Sequence, residues 1–348
     1  MTVDTLGPEG FGTYQVDWSA GEPQFTRVSR PPERLLIPGF VDIHFHGAFG
    51  VDCLTTDEAG MATLIARLEA EGYEGVLPTT VTTDSATVLR FLHTLPDHPL
   101  VLGFHLEGPF ISPKYPGAQP PEFILDPPEG PSEWDLILDH PRLKVITMAP
   151  ELPRALELIR RLDQRGVVIS MGHTNATYDE ARFGFEFGAR HTTHTYNAMR
   201  PLHHRDAGTV GYALWQEGLA CELIYDRKHV SREAAAILIR NKPEDKIIGI
   251  SDCTMAAGMP SGTVFEMWGL RCVTGKGEVR LEENGALAGS AATLYDVFRN
   301  LCEDFGPEVA IRACCLNPRI ALGLKTSPRV FLELDKDLKI VARRALRS

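Results

Sequence analysis

From residue 39 onward, short apolar runs bounded by glycine, proline or small polar residues alternate with longer segments whose apolar residues recur every three or four positions. The first pattern reads as buried strand and the second as amphipathic helix. Strands are expected at 38–47, 76–82, 100–107, 144–149, 167–173, 191–196, 220–226 and 246–252. The clearest helix follows the first strand, with Met61, Leu64, Ile65 and Leu68 at i, i+3, i+4 and i+7 behind a capping Asp57. Further helical patterns lie at 85–95, 152–165, 177–189, 231–241, 291–305 and 307–316. Strand and helix alternating eightfold predict an α/β fold, a (β/α)8 TIM-like barrel over 39–323 rather than an open sheet. The termini read differently. Alternating segments at 13–18, 24–28, 330–333 and 338–342 predict a small β appendage built from 1–38 and 324–348.

Composition narrows the classes of partner. A formal net charge of −11 disfavours a phosphate backbone, so no nucleic-acid partner is expected. Seven cysteines without a Cys-x-x-Cys pair fit buried, reduced thiols better than a disulfide framework or a zinc ribbon. The first residues lack a basic segment followed by an apolar one, and no apolar run approaches the roughly 18 residues of a membrane span. A cytoplasmic protein without a membrane partner is the expectation. The stretch 108–143 is long for a strand-to-helix connection and carries Pro109, Pro113, Pro116, Pro120 and Pro121, which marks a shaped loop of functional interest.

Chemistry gathers where the expected strands end. In Phe-Val-Asp42-Ile-His44-Phe-His46-Gly47 the two-residue period of a strand puts Asp42, His44 and His46 on one face. The third strand ends in Glu107, the fifth in His173, the sixth in His194 and the eighth in Asp252. Each alone reads as a capped loop carboxylate or a satisfied core histidine. Buried together at one end of five strands, they would strand several polar groups without partners. A divalent metal removes that cost, and a His/Glu/Asp set suits zinc, iron or manganese better than calcium. Such an ion acidifies bound water and polarises a carbonyl, while Asp252 can accept and return a proton. That combination describes hydrolysis of an amide or ester.

The motifs His105-Leu-Glu-Gly-Pro-Phe110, Gly172-His-Thr-Asn-Ala-Thr177, Thr193-His-Thr-Tyr-Asn-Ala-Met199, His204-Arg-Asp-Ala-Gly208, Leu287-Ala-Gly-Ser290 and Asn317-Pro-Arg-Ile-Ala-Leu-Gly-Leu324 resemble those of the N-acetylglucosamine-6-phosphate deacetylases of the amidohydrolase superfamily. The fourth strand ends without a lysine, which disfavours superfamily members bridged by a carboxylated lysine. The resemblance implies a small-molecule amino sugar phosphate as substrate. It places a principal metal on Glu107, His173 and His194, and a possible second on His44, His46 and Asp252 with a shared Glu107. One or two divalent ions are therefore implied, zinc foremost, with Asp252 as acid/base. Asn197, Ala198, Arg205 and His229 would bind the sugar phosphate, part of it from a neighbouring subunit, so that a homodimer is implied. Ala118, Gln119, Asp226, Leu287, Ala288 and Gly289 complete the implied substrate site.

Three departures accompany the resemblance. Gln119 stands where the family carries a histidine that polarises the acetyl carbonyl, and glutamine is expected to donate there through its amide NH₂. Arg227 replaces a usual glycine, and the N-terminal segment is short. The other readings are an amidohydrolase acting on a different N-acylated sugar or amide, and an inactive barrel kept as a binding subunit.

Overall fold

The computed structural model describes residues 1–19, 21–283, 285, 287–324 and 327–346. Residues 20, 325, 326, 347 and 348, all within the expected appendage, lie outside the described residues. Eight parallel strands carry the site: Phe40–Phe45, Tyr73–Pro78, Phe104–Glu107, Leu143–Met148, Val168–Met171, Ala189–Thr192, Ala220–Ile224 and Ile247–Ile250. The last six form one curled parallel sheet in sequence order, and the first two form a parallel pair. Parallel bridges Val76–Val101 and Thr79–His105 connect that pair to the third strand. Beyond the eighth strand, the Asp252 N–H donates to the His44 carbonyl at 2.9 Å and the His46 N–H to the Cys253 carbonyl at 2.8 Å.

Local chemistry explains the helices. Asp57, Asp84, Thr177, Ser231 and Thr293 each accept a backbone N–H in the first turn of Glu58–Ala70, Ser85–Thr94, Tyr178–Phe187, Arg232–Asn241 and Leu294–Phe305. Thr177 with Glu180 and Thr293 with Asp296 add the reciprocal bond of a capping box. Met61, Leu64, Ile65 and Leu68 are the buried stripe of Glu58–Ala70, as their spacing predicts. Two apolar layers result. Val41, Ile43, Leu77, Val145, Ile224, Ile248 and Ile250 pack among the strands, and a larger cluster fills the space between strands and helices.

The termini pair in one six-stranded sheet, in the order Ile340–Ala345, Val330–Leu334, Arg34–Pro38, Thr2–Gly7, Gly10–Asp17, Gln24–Arg27. The register is fixed where Phe331 faces Pro38 and Leu334 faces Leu35, and Val3, Tyr14, Val16, Leu36 and Phe331 form its own small core. Several elements went unread in the sequence, among them the strands Thr2–Gly7 and Arg34–Pro38 of this sheet. A helix, Gly208–Trp215, lies between the sixth and seventh parallel strands. Between the eighth strand and helix Leu294–Phe305 sits an antiparallel sheet of Val264–Met267, Leu270–Thr274, Glu278–Leu281 and Leu287–Ser290. These strands are only four or five residues long and half exposed, so their alternation is too short to stand out.

Candidate active site

The six expected ligands meet, and the backbone that brings them there is strained. Glu107 is the last residue of the third strand, whereas His173, His194 and Asp252 each lie two residues past theirs. All three adopt left-handed backbone, with φ of 45°, 30° and 46°, and Ala198 joins them at 47°. Such conformations cost about 1–3 kcal/mol each and concentrate at functional sites. The turn they make swings each side chain inward over the strand ends. Two triads form, His44–His46–Asp252 and Glu107–His173–His194, each with its ligand atoms within 4.8 Å of one another. Glu107 joins them. Its Oε1 lies 3.2 Å from Nε2 of both His173 and His194 and 3.4 Å from Nε2 of His44, and its Oε2 lies 3.3 Å from Nε2 of His46.

The outward-facing nitrogens establish what the inward-facing ones offer. His173 Nδ1 sits 3.0 Å from the Tyr115 carbonyl and His194 Nδ1 3.2 Å from the Asn197 carbonyl. A carbonyl only accepts, so each Nδ1 carries a proton, and in the neutral ring each Nε2 presents a lone pair. Those two Nε2 atoms are 3.1 Å apart and converge on a carboxylate oxygen. His44 repeats the pattern, with Nδ1 at 3.1 Å from buried Glu222 and a buried Nε2 left without a hydrogen-bond partner among the described residues. Lone pairs and carboxylates facing one another in a water-poor site require extra protons or a cation. The donor set fits a divalent ion in each triad.

Electrostatics point the same way. Burial opposes charge on every member, yet the carboxylates of Asp252 and Glu107 push His44 well above the usual imidazole range and His46 up to about 9. In return, and again against burial, the rings hold Glu107 well below the carboxylate range and Asp252 at about 2. Without an ion, protons on the imidazoles balance the ionised carboxylates. A metal offers the same compensation while leaving the imidazoles neutral. His105, by contrast, is a satisfied core histidine, held by the Ile43 carbonyl at 3.1 Å and the Thr147 hydroxyl at 2.7 Å.

A cavity of about 220 Å³ opens over the ligands. His46, Glu107, Ala118, Gln119, His173, His194, Asn197, Ala198, His229, Asp252, Leu287, Ala288 and Gly289 all line it. Three expected residues behave differently. The NH₂ of Gln119 donates to Glu107 Oε2 at 2.6 Å, while its carbonyl accepts the Thr82 N–H at 2.7 Å. Glutamine reaches the shared carboxylate because both of its ends can bond at once. Asp226 lies behind the wall, accepting the backbone N–H groups of Lys228 and His229 at 2.8 Å and contacting His229 Nδ1 at 2.6 Å, so that it aims His229. Arg205 is exposed and off the cavity wall, its guanidinium 2.8 Å from His204 Nε2.

Arg227 also turns away. Its φ of 64° is the conformation glycine adopts most easily, and its guanidinium pairs with Glu303 at 3.0 Å and Asp304 at 2.8 Å instead of entering the cavity. The sequence reading missed Glu222 and Trp268. Glu222 is a lone carboxylate within the apolar strand Ala220–Ile224, a signal that was available. Trp268 reaches the cavity from the antiparallel sheet, and nothing in its local sequence marks it.

A profile of the Amidohydrolase family matches residues 35–327, and the chain belongs to that family. Similar proteins include amino sugar phosphate deacetylases. The chain is 35% identical over 297 residues to the N-acetylglucosamine-6-phosphate deacetylase of Bacillus subtilis (strain 168), covering 81% of this chain and 73% of that protein. It is 34% identical over 315 residues to the N-acetylgalactosamine-6-phosphate deacetylase of Escherichia coli O157:H7, covering 88% of this chain and 83% of that one. The crystal structure of N-acetylglucosamine-6-phosphate deacetylase from Thermotoga maritima superposes with a TM-score of 0.88 at 29% identity, over 99% of this chain and 96% of that one. A mutant of the Mycobacterium smegmatis enzyme, solved in complex with N-acetyl-D-glucosamine-6-phosphate, gives the same TM-score and identity over 99% of this chain and 97% of that one.

Proposed function

We propose that this chain is a metal-dependent hydrolase that removes the acetyl group from N-acetyl-D-glucosamine 6-phosphate, yielding glucosamine 6-phosphate and acetate. The observation that carries the reading is the convergence of four imidazoles and two carboxylates on a cavity fit for a small molecule. Glu107, His173 and His194 would hold the principal ion, and His44, His46 and Asp252 a second, with zinc favoured and iron or manganese as alternatives by donor type. A bound ion would supply Lewis acidity toward the acyl oxygen and toward water.

The chain's own groups do the rest. Asp252 borders the cavity and is ionised at neutral pH, its affinity for protons depressed by the neighbouring rings. It can take a proton from the attacking water and pass it to the departing amine. Gln119 holds Glu107 in place, and Asp226 fixes the ring of His229. His229 and the backbone at Asn197 and Ala198 would receive the sugar phosphate. Leu287, Ala288 and Gly289 would bound the acetyl end. Arg205 would meet the phosphate of a neighbouring copy in a homodimer, a reading favoured by its exposure away from its own cavity.

We read the eight parallel strands as one closed (β/α)8 barrel spanning 39–323, supported by the backbone bonds between Asp252 and His44 and between His46 and Cys253. The terminal sheet is then a separate appendage made of 1–38 and 324–348. No helix among the described residues is long and apolar enough to cross a membrane. Seven unpaired cysteines support a reducing, cytoplasmic setting.

Acetate release from a panel of N-acetylated sugars, with and without a 6-phosphate, tests the assignment. Turnover confined to N-acetylglucosamine 6-phosphate is the expected result. A preference for the galactose epimer would support the second reading, which the similarity to the Escherichia coli enzyme favours.

A further inference from the structure

Of the four imidazoles in the two triads, three have the outer nitrogen anchored. His44 reaches Glu222, His173 the Tyr115 carbonyl and His194 the Asn197 carbonyl. His46 is the exception, because its Nδ1 is buried without a hydrogen-bond partner among the described residues. Its Nε2 faces Glu107 and Asp252 at 3.3 and 3.2 Å, but no hydrogen bond among the described residues holds the ring from its outer side. It lies between two other rings instead. His44 packs edge-on at 5.2 Å and 72°, and Trp268 packs edge-on at 5.5 Å and 76°. His44 shares the strand of His46 and is itself a ligand. Trp268 comes from elsewhere, at the tip of the hairpin joining Val264–Met267 to Leu270–Thr274.

Trp268 is fixed in turn. Its indole Nε1–H donates to Asp52 Oδ2 at 3.1 Å. The other oxygen of Asp52 accepts the N–H groups of Leu54 and Thr55 and the Thr55 hydroxyl, at 3.0–3.1 Å. The Gly47–Asp52 turn beneath is tied to the same insertion, since Phe49 N–H donates to the Ala257 carbonyl at 2.7 Å and Gly50 N–H to the Met255 carbonyl at 2.8 Å. The ring therefore sits on a rigid mount directly against His46. We propose that Trp268 is the positioning residue of the His44–His46–Asp252 cation site. It orients His46 through an edge-to-face contact where the other ligands use hydrogen bonds, and Asp52 locks the indole. The antiparallel insertion thereby becomes part of that cation site. This inference rests on the metal reading of the preceding section.

The test uses the full-length protein stripped of metal and titrated with Zn²⁺ against a chromophoric chelator, with thermal melting of each variant as a folding control. Loss of an orienting partner around a metal ligand typically weakens affinity by about 10–100-fold. Trp268→Ala should therefore weaken the second Zn²⁺ by about that factor and leave the first unchanged. Trp268→Phe keeps an aromatic edge and should restore most of the affinity, and Asp52→Asn should fall between. A spectroscopic readout is independent of both affinity and activity. Co²⁺ at this triad should quench indole emission in the native protein, and the quenching should vanish in Trp268→Phe. Two Zn²⁺ ions binding to Trp268→Ala with native affinities would overturn the proposal, as would a native protein that takes only one ion. A native protein that binds no ion at all would overturn the metal reading itself.

Discussion

The two triads offer the same donor chemistry but are assembled differently. Glu107, His173 and His194 come from three strands, and both histidines are pinned by main-chain carbonyls. His44 and His46 come from one strand and meet Asp252 across the junction with the eighth. One of these rings leans on a buried carboxylate, Glu222, and the other on an indole. A carbonyl fixes the tautomer of its partner and never competes for protons. The first arrangement is thus preorganised by backbone, and the second depends on side chains that mutation can move. Glu107 is the hinge of the comparison, because its Oε1 faces rings of both triads and its Oε2 faces His46.

That asymmetry can be broken most sharply at Glu107. Glu107→Ala removes the group shared by both triads, and the purified protein should hold less than one tightly bound ion by elemental analysis. Activity should drop beyond the range of a lost general base, by more than about 10⁴-fold. Retained two-ion stoichiometry would mean that the triads are independent. Asp252→Asn comes next. It touches only the side-chain-supported triad, and kcat should fall by about 10²–10⁴-fold while substrate still binds and the Glu107 triad keeps its ion. Substrate titration by calorimetry, together with metal content, separates these effects.

A smaller change is expected at Gln119. Gln119→Ala deletes the donor to Glu107 Oε2, an outer contact on a ligand, and should weaken both ions by about tenfold, toward the lower end of what such contacts contribute. An effect on kcat with metal affinity unchanged would instead return Gln119 to the acyl oxygen, where its sequence position suggested it belonged.

The mildest probe is pH. In metal-free protein the proton affinity of His46 is raised from an unfolded value near 6.5 to about 9, so its contribution to stability is full below about pH 6.5 and is lost as pH climbs through about 9. Asp252, depressed to about 2, contributes above about pH 4 and loses that contribution only as pH falls through about 2. Metal-free protein should therefore lose a few degrees in Tm between about pH 6.5 and 9. Metal-loaded protein should not, because ligating rings are already neutral. Parallel melting curves across that window would expose the difference, and identical alkaline slopes would rule out proton–metal exchange at these rings.

How far the sequence reached can be judged from individual residues. The helix Glu58–Ala70 was legible because one periodic stripe and one cap are local properties. The meeting of His44, His46, Glu107, His173, His194 and Asp252 was legible because each lies at or just past the end of a recognisable strand, and parallel α/β folds collect their chemistry at that end. Glu222 was within reach and went unread, although a carboxylate inside an apolar strand needs an explanation. Other features had no local signal. The amide of Gln119 could reach an acyl oxygen or Glu107, and only the path of the 108–143 loop decides between them. The left-handed backbone at His173, His194 and Asp252 depends on turns whose residues do not demand it. Arg227 occupies a conformation suited to glycine because Glu303 and Asp304 on a distant helix receive it. Trp268 is an unremarkable hairpin tryptophan until the insertion folds over the first strand. Periodicity, caps and ligand identity are written along the chain, since each arises from neighbours within a few positions. Which groups face one another, and what holds each ring in place, follow from contacts between residues as much as two hundred and more positions apart, and only the folded packing sets those.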